Sequence, residues 1–214
     1  AGTEGDGEEL RATSESDSPT FVAIDFETAT SRADSACAIG LVRVVEGAIT
    51  LRKNCFLRPP RREFTFTHVH GIAWRDVMAA PTFGEVWPEL CALLDGARFL
   101  AAHNARFDRS VLEACCRLAG LSVPELPFRC TVQLARRVWG LSPTSLPAVC
   151  RRLGIPLRHH DAGSDAESCA RIVLAAAQEG RRMGESRKPP GTGRPRRRES
   201  PDDRLQEDRH RRGP

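Results

Sequence analysis

The chain has 214 residues, 40% of them hydrophobic, with 32 Lys+Arg against 28 Asp+Glu for a formal net charge of +4. That length suits one domain with tails, and that apolar content supports a buried core, which excludes wholesale disorder. The charge is uneven, with six acids against Arg11 alone in residues 1–19 and twelve Lys+Arg against six acids in residues 181–214, so the middle is only mildly basic and bulk charge by itself argues no nucleic-acid partner.

Residues 1–19, rich in Gly, Ser, Thr and acids, read as a disordered acidic tail without a secretory signal. The folded domain spans roughly 20–180, and 181–214 reads as a disordered Arg/Pro-rich tail. Phe21–Phe26 is a short apolar run that suits a central strand buried on both faces. Ala36–Val45 and Ala48–Phe56 are two further β-type runs, and Glu46-Gly47 between them reads as a hairpin turn. Thr82 and Glu85 have capping-box spacing and open a helix to about Leu94, which Pro88 should kink. Arg98–Ala102 is a fourth strand. Asp108–Ala119 places Val111, Leu112, Cys115 and Leu118 on one helical face, with Gly120 as the stop. Phe128–Thr131 is a fifth strand, followed by helices near 131–139, 145–153 and 164–178. A hairpin followed by alternating strands and helices predicts an α/β fold with a mixed sheet flanked by helices.

Eight cysteines contain no C-x-x-C and no finger-like spacing, so they read as reduced thiols, Cys115, Cys116 and Cys169 as small hydrophobes in helical patterns. No apolar run approaches the eighteen or so residues of a membrane span. A soluble cytoplasmic protein with no membrane partner is expected. Dinucleotide and P-loop glycine motifs are absent.

Three acidic constellations stand out. Asp25 and Glu27, two apart at the end of the most apolar segment, point to one face of a strand and repel each other there, unless the strand ends at Ile24 and leaves them in a solvated loop. Asp108 follows His103-Asn104 after the fourth strand and suits a helix N-cap; if that strand runs parallel to the first, Asp108 also faces the crevice beyond the strand ends. His159-His160 precede Asp165, with Ser164 and Glu167 at capping-box spacing. Four carboxylates and an imidazole on three segments suit a hard cation such as Mg²⁺ or Mn²⁺ and argue against zinc. Two such ions about 3.5–4 Å apart form the clamp used for in-line displacement at phosphorus, which makes phosphodiester hydrolysis the leading chemistry.

In order and spacing, Asp25-Phe-Glu27-Thr28, Asn104-Ala-Arg-Phe107-Asp108 and His160-x-x-x-x-Asp165, with Val69-His70-Gly71-Ile72 between the first two, resemble the exonuclease motifs of the DEDDh group, the DnaQ-like family of the proofreading epsilon subunit. The resemblance covers about residues 20–178. It implies a ribonuclease H-like fold with a five-stranded mixed sheet of order 3-2-1-4-5, and 3′–5′ removal of 5′-mononucleotides. Under it, Asp25 bridges two Mg²⁺ or Mn²⁺ ions, Glu27 and Asp165 complete the first site, Asp108 supports the second, and His160 is the general base. Thr28, His70, Asn104 and Phe107 line the pocket for the terminal nucleotide, although Phe107 equally suits the core and His70 equally suits fixing its own loop. His159 sits one residue off the pattern and reads as a solvated loop residue. Gly163-Ser164 replaces the larger apolar residues often found there in the family.

The expected substrate is the 3′ end of a nucleic acid, single-stranded DNA ahead of RNA. A polymerase or repair partner fits the family, although no peptide for one is evident. Two alternatives stand beside this reading: an exoribonuclease of the same fold, and a non-catalytic nucleic-acid-binding module acting through its basic tail.

Overall fold

A computed structural model gives the architecture and describes residues 20–186, with side chains through residue 180. The expected acidic tail 1–19 and residues 187–214 of the expected basic tail lie outside the described residues. The sheet comprises β1 (Phe21–Thr28), β2 (Ala36–Val45), β3 (Ala48–Phe56), β4 (Leu100–Ala102) and β5 (Phe128–Cys130), in the order β3-β2-β1-β4-β5. β1 pairs antiparallel with β2 and parallel with β4, and β5 is parallel to β4, so the sheet is mixed as expected. The hairpin between β2 and β3 turns through Glu46 and Gly47, both at positive φ (50° and 83°), the geometry whose twist matches paired antiparallel strands.

Between β3 and β4 lie two short helices that sequence periodicity does not reveal, α1 (Thr67–His70) and α2 (Trp74–Val77). Four residues are too few to carry an amphipathic signal. They are followed by α3 (Phe83–Cys91), which contains Pro88 and passes into a 3-10 turn at Ala92–Leu94. Glu85 accepts from both the backbone N–H and the hydroxyl of Thr82, so the anticipated Thr82 cap is present. The remaining helices are α4 (Ala105–Ala119), α5 (Thr131–Trp139), α6 (Leu146–Leu153) and α7 (Ala162–Ser186). All eight cysteines are free thiols. Among the described residues no helix is long and apolar enough to cross a membrane.

Alternation along β1 separates two cores. Val22, Ile24 and Phe26 pack with Ile39 and Leu41 of β2 against Phe83, Trp87 and Leu90 of α3 and Val111, Leu112 and Cys115 of α4. Phe21 and Ala23 pack on the other face with Val42 and Val44 against Ala166, Cys169 and Ala170 of α7. The second face is made largely of small residues, which lets α7 lie close to the sheet. Closest of all is Gly40, the cross-strand partner of Asp25: a Cβ there would stand 2.0 Å from the carbonyl oxygen of Ala162, at the start of α7. Gly163 is less tightly confined, since a Cβ would meet the Asn54 side chain of β3 at 3.0 Å.

Because the atoms opposing Gly40 are backbone, Gly40→Ala should lower unfolding free energy by about 3 kcal/mol, the upper end of ordinary overpacking. The urea midpoint measures this. An unchanged midpoint would mean that α7 does not depend on the close approach.

Candidate active site

β1 extends through Thr28, so Asp25 and Glu27 are strand residues and the solvated-loop alternative does not hold. Their side chains leave the face occupied by Ala23, while Phe26 enters the opposite core. Glu27 is only 8% exposed.

Asp108 reaches the same end of β1 from α4. The expectation that it opens this helix as the N-cap is corrected: α4 begins at Ala105, and Asn104, at φ 67°, occupies the capping position without a side-chain bond. Asp108 therefore sits one turn into the helix, 1% exposed. Its role follows from strand lengths. β1 has eight residues and its parallel neighbour β4 has three, so the Phe26 N–H lies beyond the paired stretch Val22–Ala23. Asp108 Oδ1 accepts that N–H at 3.1 Å. Asp108 Oδ2 is buried with no hydrogen-bond partner.

Asp165 stands in the first turn of α7, 3% exposed. The expected Ser164–Glu167 capping box does not form, because the helix begins two residues earlier than its apolar pattern suggests. Asp161 caps it instead, its Oδ1 accepting from the Ser164 N–H at 2.9 Å. Glu167 turns outward to Arg52 of β3 at 2.7 Å and to Arg171, and these guanidinium groups hold its carboxyl down at about 2. A capping signal of Asp161 three residues before Ser164 was present in the sequence and outweighs the one that was read.

His159 is an exposed turn residue, as expected, but it also makes contacts that its sequence position does not announce. Its Nδ1 lies 2.9 Å from Asp165 Oδ2, and its ring stacks on that of His160 with centroids 3.8 Å apart. The same Oδ2 accepts the backbone N–H of His160 at 3.2 Å, and His160 adopts φ 64°. Asp165 Oδ1 is buried and without a partner, like Asp108 Oδ2.

Asp25, Glu27 and Asp165 each offer an oxygen within 4.8 Å of the others. Asp108 stands outside this trio, but its charge is the strongest of the neighbouring charges acting on Asp25. Burial and the repulsion of Asp108, Asp165, Glu27 and Asp161 push the Asp25 carboxyl well above its ordinary range. Burial, then Asp165 and Asp161, raise Glu27 to about 7. Burial raises Asp108 to about 8 in spite of the Phe26 N–H. Asp165 is also raised by burial, with His159 opposing. Among the described residues no Lys or Arg forms an ion pair with any of the four. Oxygen-only donors, two orphaned carboxylate oxygens and missing countercharge fit hard divalent cations.

The acids open into a crevice of about 330 Å³ whose apolar wall is Phe26, Phe66, Val69 and Phe107. Phe107 is 41% exposed, so it belongs to the crevice and not to the core. Phe66 and Val69 were not singled out by sequence; the quoted stretch Val69-His70 was the available signal. His70 also lines the crevice and braces it. The Ile72 N–H donates to its Nδ1 at 3.0 Å, which leaves Nε2 to donate to the carbonyl of Thr28 at 3.1 Å. Burial lowers the His70 pKa, in keeping with a neutral ring. Thr28 lines the crevice at the end of β1, whereas Asn104 is exposed and outside its lining.

A mixed sheet that gathers carboxylates from one strand end and two helices, with a histidine-bearing loop at the rim, defines a hydrolase-type acidic centre suited to phosphate esters. Comparison with known proteins places the chain within that class. Residues 22–173 match the RNase_T family, described as exonuclease, and the chain belongs to this family. It is 30% identical over 170 residues to a PolC-type DNA polymerase III of Thermotoga petrophila, covering 77% of this chain and 12% of the polymerase. It is 32% identical over 171 residues to the 3′-5′ exonuclease DinG of Bacillus subtilis, covering 76% and 18%. It is also 32% identical over 146 residues to the DNA polymerase III epsilon subunit of Escherichia coli, covering 64% and 60%. The chain thus spans about an eighth of the polymerases it matches. Among solved structures, exonuclease X in complex with 5′ overhanging duplex DNA superposes with a TM-score of 0.61 at 25% identity, covering 74% of this chain and 91% of that one. The nuclease domain of 3′hExo, a DEDDh family member bound to rAMP, gives 0.66 at 20% identity, covering 76% and 93%, and shares the fold. The ribonuclease H-like sheet order expected from the motifs is the one found. Exonucleases of this fold use divalent cations, and the donor set here suits them.

Glu27 and Asp108 bind protons more tightly when folded than the ordinary carboxylate does, so the folded state loses its advantage as pH rises from about 5 through 8. In chelator, the melting temperature should therefore fall across that window. Millimolar Mg²⁺ or Mn²⁺ should reverse the fall, by about 2.7 kcal/mol at a hundredfold excess over the dissociation constant. Calorimetry checks both; a flat chelator profile with no response to cation would contradict the electrostatic account.

Proposed function

We propose that the chain is a divalent-metal-dependent 3′–5′ exonuclease that releases 5′-mononucleotides from the 3′ end of single-stranded DNA. The observation that carries this reading is the convergence of Asp25, Glu27 and Asp165 oxygens beside the unpartnered Oδ2 of Asp108. Such an arrangement is destabilising in a module that only binds nucleic acid, because no Lys or Arg among the described residues pairs with it and a single imidazole reaches Asp165. DNA is favoured over RNA by relatives that include PolC-type DNA polymerases III and the DNA polymerase III epsilon subunit.

Asp25, Glu27 and Asp165 would hold one Mg²⁺ or Mn²⁺ and Asp25, with support from Asp108, a second. When bound, these ions supply positive charge to a phosphodiester and to the oxygens entering and leaving it. The chain's own residues do the rest. Phe66, Val69 and Phe107 offer an apolar wall to the terminal base, and His70 and Thr28 fix the rim against it. His160 accepts a proton from the attacking water; burial and neighbouring His159 lower its pKa, which keeps the ring neutral and ready to do so. The water oxygen bonds to phosphorus as the bond to the 3′-oxygen of the preceding nucleotide breaks, giving a 5′-monophosphate and a new 3′-hydroxyl. His159, exposed at the rim of the crevice, holds Asp165 through Oδ2 and stacks on His160, so it positions both.

Asp25→Ala and Asp165→Ala should each abolish cation-dependent mononucleotide release from a 3′-labelled oligonucleotide, as should excess chelator. His160→Ala should lower kcat about 100-fold or more, as expected for loss of a general base, while shifting the half-saturating cation concentration little. Full activity in either Asp variant defeats the assignment. Equal loss of turnover and cation affinity in His160→Ala would make that histidine a ligand or a structural element.

A further inference from the structure

A second sizeable cavity lies away from the carboxylates. It has a volume of about 630 Å³ and runs between the start of β4 and β5, helix α5 and the middle of α7. Its floor is apolar, including Phe99, Phe128, Leu134 and Val173. Its rim carries Arg98, Arg129 and Arg137, all exposed, and no acidic residue lines it. Among the described residues none of these arginines makes an ion pair; Arg129 rests on the ring of Phe99, 4.9 Å from its centroid. Three guanidinium groups over an apolar floor, without a carboxylate, fit an acidic peptide segment better than a bare anion, which has no use for the floor.

The chain supplies such a segment at this place. The carbonyl of Thr20 accepts the backbone N–H of Arg98 at 2.9 Å, so residues 1–19 join the folded unit at the rim of the groove. Those residues carry Glu4, Asp6, Glu8, Glu9, Glu15 and Asp17 against a single cation, Arg11, and include Leu10 as an apolar side chain. Asp17 is three residues from the attachment point, a reach of about 10 Å when extended. A tether this short keeps the acids at an effective concentration on the order of millimolar, so weak contacts with the arginines suffice.

We infer that the acidic segment 1–19 docks in the arginine-rimmed groove between β5, α5 and α7, with its carboxylates on Arg98, Arg129 and Arg137. The contact covers the apolar floor and lies beside β5, one of the two edge strands of the sheet. It does not depend on the nuclease reading, and it concerns no residue of the acidic crevice.

Arg11 makes the docking measurable, because it is the only tryptic site in residues 1–19. In the full chain, release of the peptide 1–11 by limiting trypsin is followed by mass spectrometry. Arg98→Gln combined with Arg137→Gln should accelerate that release about fivefold, which corresponds to a segment docked about four-fifths of the time when cleavage tracks the undocked population. Glu15→Gln with Asp17→Asn should also accelerate it. The two sets should not add when combined, as expected for groups in contact. As an independent measurement, the amine introduced by Arg137→Lys should couple through a zero-length carbodiimide to an acid of residues 1–19 within one molecule, more efficiently than Lys53 does. Unchanged release in the acid variants, or strictly additive effects, overturns the inference. So does coupling found only between molecules, which would assign the groove to a second copy. Weakened oligonucleotide binding in the arginine variants with unchanged release overturns it too, in favour of nucleic acid.

Discussion

Asp25, Glu27, Asp108 and Asp165 are held where water is scarce, and there each unpaired charge costs several kcal/mol. The protein offers them little relief. One backbone N–H reaches Asp108, one backbone N–H and one imidazole reach Asp165, and no Lys or Arg among the described residues is paired with any of the four. The result is a set of carboxyls that hold their protons unusually tightly, two of which retain a buried oxygen with nothing to bond. Such a cluster is compatible with a stable fold only if its surroundings over-determine the positions of the acids and leave room for compensating charge.

Over-determination comes from the sheet and its two covering layers. β1 is central, bonded on both sides, and its side chains are committed to two separate cores. α4 is tied to β1 by Asp108 itself, so the same carboxylate belongs to the acidic group and to the backbone accounting of the strand. α7 is brought within reach because β2 presents glycine where any other residue would strike Ala162. Gly40 pairs with Asp25 and clears the path that brings Asp165 to it. The acidic centre is thus as much a consequence of one absent side chain as of the acids present.

The strands, the hairpin turn and the sheet class were legible because their signals are local and repeated, as in the apolar run Phe21–Phe26 and the Glu46-Gly47 turn. The order of the strands came from motif resemblance, since periodicity does not specify pairing. Asp25, Glu27, Asp108 and Asp165 stood out as charge where burial was expected, and that contradiction survives into the structure. What was misread depends on position within a turn of helix. Asp108 and Ser164 both have cap-forming chemistry, and only the true helix starts at Ala105 and Ala162 show that neither side chain caps its helix in the expected way. His159 lies in the exposed loop expected for it, and only its bond to Asp165 was not legible. Its contact depends on the left-handed backbone of His160, a conformation no pattern of residue types announces for histidine.

The two histidines and the acids are consequently a single mechanical unit. Asp165 uses its oxygens differently: Oδ2 holds the loop, through the Nδ1 of His159 and the N–H of His160, while Oδ1 is buried and unpartnered. A cation drawn to Oδ1 therefore need not compete for the atom that positions the loop. The candidate base rides on a loop, yet its backbone is anchored to a residue of a long helix packed on the central sheet. That arrangement gives a loop residue the positional definition of a helix, which is what proton transfer over a single hydrogen-bond length requires.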